Sequence, residues 1–159
     1  MISLSFQYLL FLAFLFNGDP PREYTNFVLR DFDGIRYEFK TIVDSSAVTI
    51  LTFWASWCEP CKKEMQELEI MRKKDFCRNV SVVAVNIDVP RGALKARKLI
   101  AENKYGFIIM HDERGEVKDK YSITVIPRAF LIDKKGVIRF DHQGFKDIKE
   151  IEKEIQSMK

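Results

Sequence analysis

The chain has 159 residues, 47% hydrophobic and 31% charged, an ordinary globular composition with room for one domain and one core. Its 26 basic and 23 acidic residues leave a formal charge of +3 with no basic stripe, which sets nucleic acid aside as a partner.

Residues 1–16, MISLSFQYLLFLAFLF, are almost wholly apolar and end at Asn17-Gly18-Asp19-Pro20-Pro21, a turn and linker composition. Residues 1–19 therefore read as a signal peptide or an N-terminal membrane anchor with its linker, so the remainder is expected outside the cytoplasm and near a membrane. No Lys or Arg precedes the apolar run and no A-x-A pattern marks a cleavage point. At ~1.5 Å per helical residue the run reaches only ~24 Å, short of the ~30 Å hydrocarbon core, which favours a signal segment or a strained anchor. No cysteine lies near it to carry a lipid.

Phe27-Val-Leu and Tyr37-Glu-Phe flank Asp31-Phe-Asp-Gly34 and predict a small hairpin. Ala47 to Phe53, AVTILTF, has the composition of a strand buried on both faces, and a helix is predicted from Pro60 to near Asp75. Val80 to Ile87 is a second buried strand. Arg91 to Lys104 is predicted helical, with Ala93, Leu94, Ala96, Leu99 and Ile100 on one face and Gly106 as its stop. Phe107 to Met110 gives a short strand and Glu116 to Tyr121 a short helix. Ala129 to Ile132 and Val137 to Phe140 flank Asp133-Lys-Lys-Gly136 as a second hairpin. The last helix, Asp147 to Met158, carries Ile148, Ile151 and Ile155 on the face expected to pack on the sheet. Strands alternating with helices imply an α/β fold with a central sheet covered on both faces.

Of the three cysteines, Cys58 and Cys61 lie where the first buried strand delivers the chain into a helix. Unsatisfied N–H groups and the positive end of the dipole there stabilise a thiolate on Cys58. A disulfide closing so small a loop removes little entropy from the unfolded chain, so activation explains the pair better than stapling. Pro60 suits the first helical turn, and Cys61, further in, is expected to be the less exposed thiol. Cys77 is expected to be a small buried hydrophobe.

The W-C-x-x-C sequence after a strand resembles the thioredoxin-like superfamily over residues 25–159, and within it the TlpA/ResA-like exported thiol-disulfide oxidoreductases. The hairpin FVLRDFDGIRYEF, the Cys-Glu-Pro-Cys motif, Glu64 after it, and the strand-helix insertion KYGFIIMHDERGEVKDKYSITVIP carry the resemblance. It implies a thioredoxin fold with a mixed sheet, and a cis peptide bond before Pro127, packed opposite the cysteines with Ile126 and Trp57 as substrate contacts. It also implies a redox-active Cys58–Cys61 disulfide with no other cofactor, a protein disulfide substrate, and a membrane thiol-disulfide carrier as electron donor. Apocytochrome c is the client that the family suggests.

Two positions depart from the pattern: Thr52 stands where cytoplasmic thioredoxins carry a buried Asp, and Arg128 follows Pro127 where many relatives have Thr. With no Asp at 52, Glu64 becomes the candidate for proton transfer to and from the resolving thiol Cys61, while Cys58 is the nucleophile. The alternative is that it complements the helix N-terminus or stays solvated. Glu59 and Pro60 between the cysteines tune the potential. A negative charge beside Cys58 opposes the thiolate and favours a reductase, whereas Arg128 and Lys62 are expected to act in the other sense. Trp54 and Trp57 are both expected to pack, with Trp57 shielding the disulfide or contacting substrate.

Alternatives using the same residues are a disulfide oxidase or isomerase. A copper-handling chaperone binding through Cys58, Cys61 and His142 is another class, but its spacing is one residue short and His142 reads as a surface turn residue, with His111 structural. A peroxidase would need a P-x-x-x-T-x-x-C context that the sequence lacks.

Overall fold

The computed structural model describes residues 21–158. Residues 1–19, read above as a signal peptide or anchor, lie outside the described residues, and no helix among the described residues is long and apolar enough to cross a membrane. In chain order the elements are β1 Val28–Asp31, β2 Arg36–Glu38, α1 Phe39–Ser45, β3 Val48–Trp54, α2 Glu59–Met71, β4 Val80–Asn86, α3 Pro90–Asn103, β5 Ile108–His111, α4 Glu116–Lys120, β6 Arg128–Asp133, β7 Ile138–Gln143 and α5 Ile148–Ser157. The strands form one mixed seven-stranded sheet in the order β2-β1-β5-β4-β3-β6-β7. The β3–β4 and β4–β5 pairs are parallel, and the remaining pairs are antiparallel. This is a thioredoxin-like fold.

The apolar pattern explains the order of strands. All seven residues of β3 are buried, as a central strand covered on both faces requires. On one face Phe39, Ile42 and Val43 of α1 and Val117 of α4 pack with Phe53, Val85 and Phe130. On the other, Leu68 and Met71 of α2 and Ile151 and Ile155 of α5 cover Ile50, Val82 and Leu131, while Ala96 of α3 joins the cluster around the cysteines. Asp31 closes the first hairpin by accepting from the N–H groups of Asp33 at 2.9 Å and Ile35 at 2.8 Å, around Gly34 at φ 87.

Several predicted boundaries move. Phe39, expected to end the hairpin, opens α1 instead, because its ring is fully buried and stacks on Phe27 at 4.6 Å, with Ile42 and Val43 following at helical spacing. The β-branched run after it disguises that helix in the sequence. Leu94 is 77% exposed rather than buried, since Ala96, Leu99 and Ile100 form the stripe that meets the sheet. α3 stops at Lys104, which takes a left-handed conformation at φ 50. Gly106 serves close packing instead: a Cβ there would meet the Arg72 guanidinium at 1.7 Å, and its N–H donates to Glu69 at 2.8 Å. α2 ends at Met71, and Cys77 follows in a short 3-10 turn, Asp75–Cys77, where it is buried under α2.

Candidate active site

β3 ends at Trp54, whose carbonyl accepts from the Ile87 N–H at 2.9 Å, and the chain turns through Ala55, Ser56 and Trp57 into α2. The turn is closed by the Cys58 N–H donating to the Ala55 carbonyl at 3.0 Å. Cys58 is the N-cap residue of α2, with Pro60 in the first turn, and its sulfur accepts from the Cys61 N–H at 3.3 Å. A helix N-terminus with an N–H aimed at sulfur favours the thiolate. The two cysteines form a disulfide with Cα atoms 5.3 Å apart. Cys58 is 5% exposed and Cys61 1%, so the first thiol is the more accessible, as the helix geometry requires.

Beneath the pair lies a polar contact inside the core. Thr52 in β3 is flanked in register by Ala84 of β4 and Ala129 of β6, and its hydroxyl donates to Oε1 of Glu64 at 2.8 Å. Glu64, the third residue after Cys61, is 2% exposed. Loss of water pushes its carboxyl up to about 7, against the Thr52 hydrogen bond, which favours the charged form, while Glu67 adds a smaller upward push. Oε2 has no hydrogen-bond partner among the described residues.

The Ile126–Pro127 peptide bond is cis. Ile126 packs against the cluster that contains Cys58, Cys61 and Trp54, so the structure brings the proline loop to the cysteines. The Pro127 carbonyl accepts from the Gly144 N–H at 2.8 Å, which sets Phe145 beside this loop, and Lys63 of α2 lies over the Phe145 ring at 4.3 Å. Trp57, Val125 and Phe145 are exposed apolar side chains at this end of the sheet. Trp54 is buried within the cysteine cluster, whereas Trp57 is 64% exposed.

The charges expected to offset Glu59 are largely engaged. Lys62 pairs with Glu59 itself, at the solvent surface. Arg128 turns away to Asp141 at 2.7 Å and Gln143 at 2.7 Å and lies over Phe130. His142 is a residue of β7 rather than of a turn, and its Nε2 meets Glu154 at 2.6 Å. It does not join the cysteines, and among the described residues no group of three or more His, Cys, Asp or Glu is placed to hold a metal ion. His111 stacks on Phe32 at 4.9 Å. Leu51 and Ala55 occupy the Pro and Thr positions of the P-x-x-x-T-x-x-C pattern counted back from Cys58.

Sequence reasoning missed Phe145 and a buried carboxylate, Asp88, which is 2% exposed and bonded to Ser56 at 2.7 Å. Asn86-Ile-Asp88 at the end of a buried strand was the signal available for the latter, since a polar pair leaving a core strand needs partners.

The profile of the AhpC/TSA family matches residues 21–141. The chain is 28% identical over 137 residues to thiol-disulfide oxidoreductase ResA of Bacillus thuringiensis subsp. konkukian, covering 86% of this chain and 77% of that protein. It is 34% identical over 113 residues to sporulation thiol-disulfide oxidoreductase A of Bacillus subtilis, covering 70% and 67%. Among solved structures, a candidate thiol:disulfide interchange protein DsbE from Chlorobium tepidum superimposes with a TM-score of 0.76 at 29% identity, over 88% of this chain and 97% of that one.

Proposed function

This chain belongs to the AhpC/TSA family and is a thiol-disulfide oxidoreductase; we propose that it works as a reductase of protein disulfides outside the cytoplasm, through Cys58 and Cys61. The observation that carries this reading is the Cys58–Cys61 pair at the start of α2 with the Thr52-bound carboxyl of Glu64 buried one turn further along.

The steps follow from that arrangement. The Cys58 thiolate attacks one sulfur of a substrate disulfide, and the other substrate sulfur leaves with the bonding pair and takes a proton. The Cys61 thiol then gives its proton to the Glu64 carboxylate and attacks the Cys58 sulfur, which releases the second substrate thiolate. The substrate gains two electrons and the enzyme is left as the disulfide. A carboxyl titrating at about 7 suits this exchange, because near neutral pH it is present in both forms. Trp57, Val125 and Phe145 offer apolar contacts to an extended segment of a folded or unfolded client, beside the Ile126–Pro127 backbone.

Residues 1–19 act in this reading as a signal peptide or membrane anchor for a catalytic domain spanning 25–159, supported by the apolar run 1–16. A membrane thiol-disulfide carrier restores the dithiol, and an apocytochrome c disulfide is the client. The test is the reduction potential of the Cys58–Cys61 couple in defined thiol buffers, read by alkylation and mass. A value near or below about −270 mV supports the reductase, and one between about −180 and −120 mV makes the protein an isomerase or oxidase.

A further inference from the structure

Behind the active-site turn sits a carboxylate that the exchange steps do not use. Asp88 lies just past β4 and is 2% exposed, and among the described residues no Lys or Arg forms an ion pair with it. A carboxylate in such a place is stable only where hydrogen bonds replace its water. Three donors do so: the Ser56 N–H reaches Oδ2 at 2.7 Å, the Ser56 hydroxyl reaches Oδ1 at 3.0 Å, and the Asn86 side-chain amide reaches Oδ2 at 2.8 Å. Both Ser56 donors therefore end on one residue of the neighbouring strand's end.

Asp88 is itself fixed from several sides. Its N–H donates to the Asn86 side chain at 3.2 Å, and its carbonyl meets His111 Nε2 at 3.0 Å. The first turn of α3 closes over the carboxylate: a Cβ on Gly92 would meet Oδ1 at 2.6 Å, so glycine there leaves the carboxylate its room. The Ile87 N–H holds the Trp54 carbonyl at 2.9 Å, which pins the start of the same turn from the same segment. Trp54, Ser56 and Cys58 are thus tied in sequence to 86–88 at one end and to α2 at the other.

We propose that Asp88 is the positioning residue of the active-site turn, and that through Ser56 it sets where the Cys58 sulfur sits and how reducing the Cys58–Cys61 couple is. The proposal rests on the thiol-disulfide reading above. Asp88 does not touch the reacting sulfurs. It acts by clamping the residue two positions before Cys58 and by keeping a negative charge beneath the turn, which opposes the thiolate and favours the reducing direction.

The experiment compares the full chain with Asp88→Asn, Ser56→Ala and the double substitution. It measures the dithiol–disulfide equilibrium against glutathione and the pH profile of Cys58 alkylation in the reduced protein. The other titratable groups on the elements packed here are the same in all four proteins: Glu59, Lys62 and Glu64 on α2, Arg91 in the first turn of α3, His111 on β5, and the buried Asp112, whose N–H donates to the Asn86 carbonyl at 2.9 Å. Asp88→Asn is expected to shift the equilibrium constant about tenfold toward the disulfide-donating side, ~30 mV for a two-electron couple, and to move the alkylation profile to lower pH. Ser56→Ala should shift it about threefold, and the double substitution should fall short of the product of the two. A folded Asp88→Asn protein within twofold of the original in both readouts overturns the proposal, as do shifts that multiply independently. Should Asp88→Asn fail to fold, Ser56→Ala decides alone: an unchanged equilibrium overturns the proposal. Absence of any exchange in the unsubstituted protein would instead defeat the thiol-disulfide reading itself.

Discussion

Of the four glutamates of helix α2, Glu64 and Glu69 have opposite fates. Glu64 in the first half is buried against Thr52 with no cation paired to it among the described residues, and its carboxyl is pushed up to about 7. Glu69 in the second half is gripped by Arg72 at 2.6 and 2.8 Å, by Lys73 at 3.0 Å and by the Gly106 N–H at 2.8 Å, and its carboxyl is held well below the usual range. The Arg72 hydrogen bonds are the main cause. The same residue type on the same helix thus has a raised carboxyl in one place and is a fastener in the other. Supply of cationic and N–H donors separates them: a carboxylate with several keeps its charge, and one left with a single hydroxyl in the core takes up a proton more readily.

The largest expected effect tests the premise of the contrast, that the Glu64 end is the reactive one. Cys61→Ser should abolish turnover and accumulate a mixed disulfide on Cys58, detected by mass, whereas Cys58→Ser should lose both. Turnover surviving in either variant would move the reaction elsewhere.

Glu64→Gln should come next, with resolution of the mixed disulfide slowed about tenfold or more and the inflection near pH 7 lost from its pH profile. Stability supplies an independent check. Because burial raises the Glu64 carboxyl from 4.5 to about 7, the folded state binds the proton more tightly, so this group favours folding below about pH 4.5 and that advantage is lost as pH rises to about 7. The loss is on the order of 3 kcal/mol at most, and denaturant titrations at pH 5 and 8 should show the slope in the original protein and its absence in Glu64→Gln.

Glu69→Gln should leave exchange kinetics alone and cost about 1–2 kcal/mol of stability at neutral pH through the weakened Arg72 and Lys73 contacts. Its sign is the reverse of that at Glu64. With a depressed folded-state value, the stabilisation is present above the ordinary carboxylate range and disappears as the pH falls through it. A pH-independent difference between Glu69→Gln and the original protein from pH 7 down to 3 would contradict this.

The smallest effect is expected at the exposed rim. Glu59→Gln should change the dithiol–disulfide equilibrium less than about threefold, because the Glu59 side chain is 80% exposed and already paired with Lys62. A tenfold change would make Glu59, rather than the buried groups, the main determinant of potential.

Much of this molecule could be read before any coordinates. The continuous apolar run of β3, the spacing of Ile148, Ile151 and Ile155, and the Cys58–Pro60–Cys61 start of α2 each follow from local rules, and the fold agrees with them. Glu64 was legible as a candidate because its place on α2 relative to Cys61 is fixed by helix geometry. Local patterns failed where long-range packing decided. Phe39 looks like a strand residue until Phe27 stacks on it, and Leu94 looks like a core residue until the sheet accepts Ala96, Leu99 and Ile100 instead. Arg128 and Lys62 looked like sources of positive potential, yet Asp141, Gln143 and Glu59 engage them.

The sequence by itself determined the architecture, the reactive pair and its placement at a helix start, because periodicity, turn residues and N-terminal helix geometry are properties of neighbouring residues. Only the tertiary structure decided the electrostatics. Burial of Glu64 against Thr52, the Gly106 N–H on Glu69 and the clamp of Asp88 on Ser56 each join residues far apart in the chain, and the energy of a charge depends on which donors and how much water surround it.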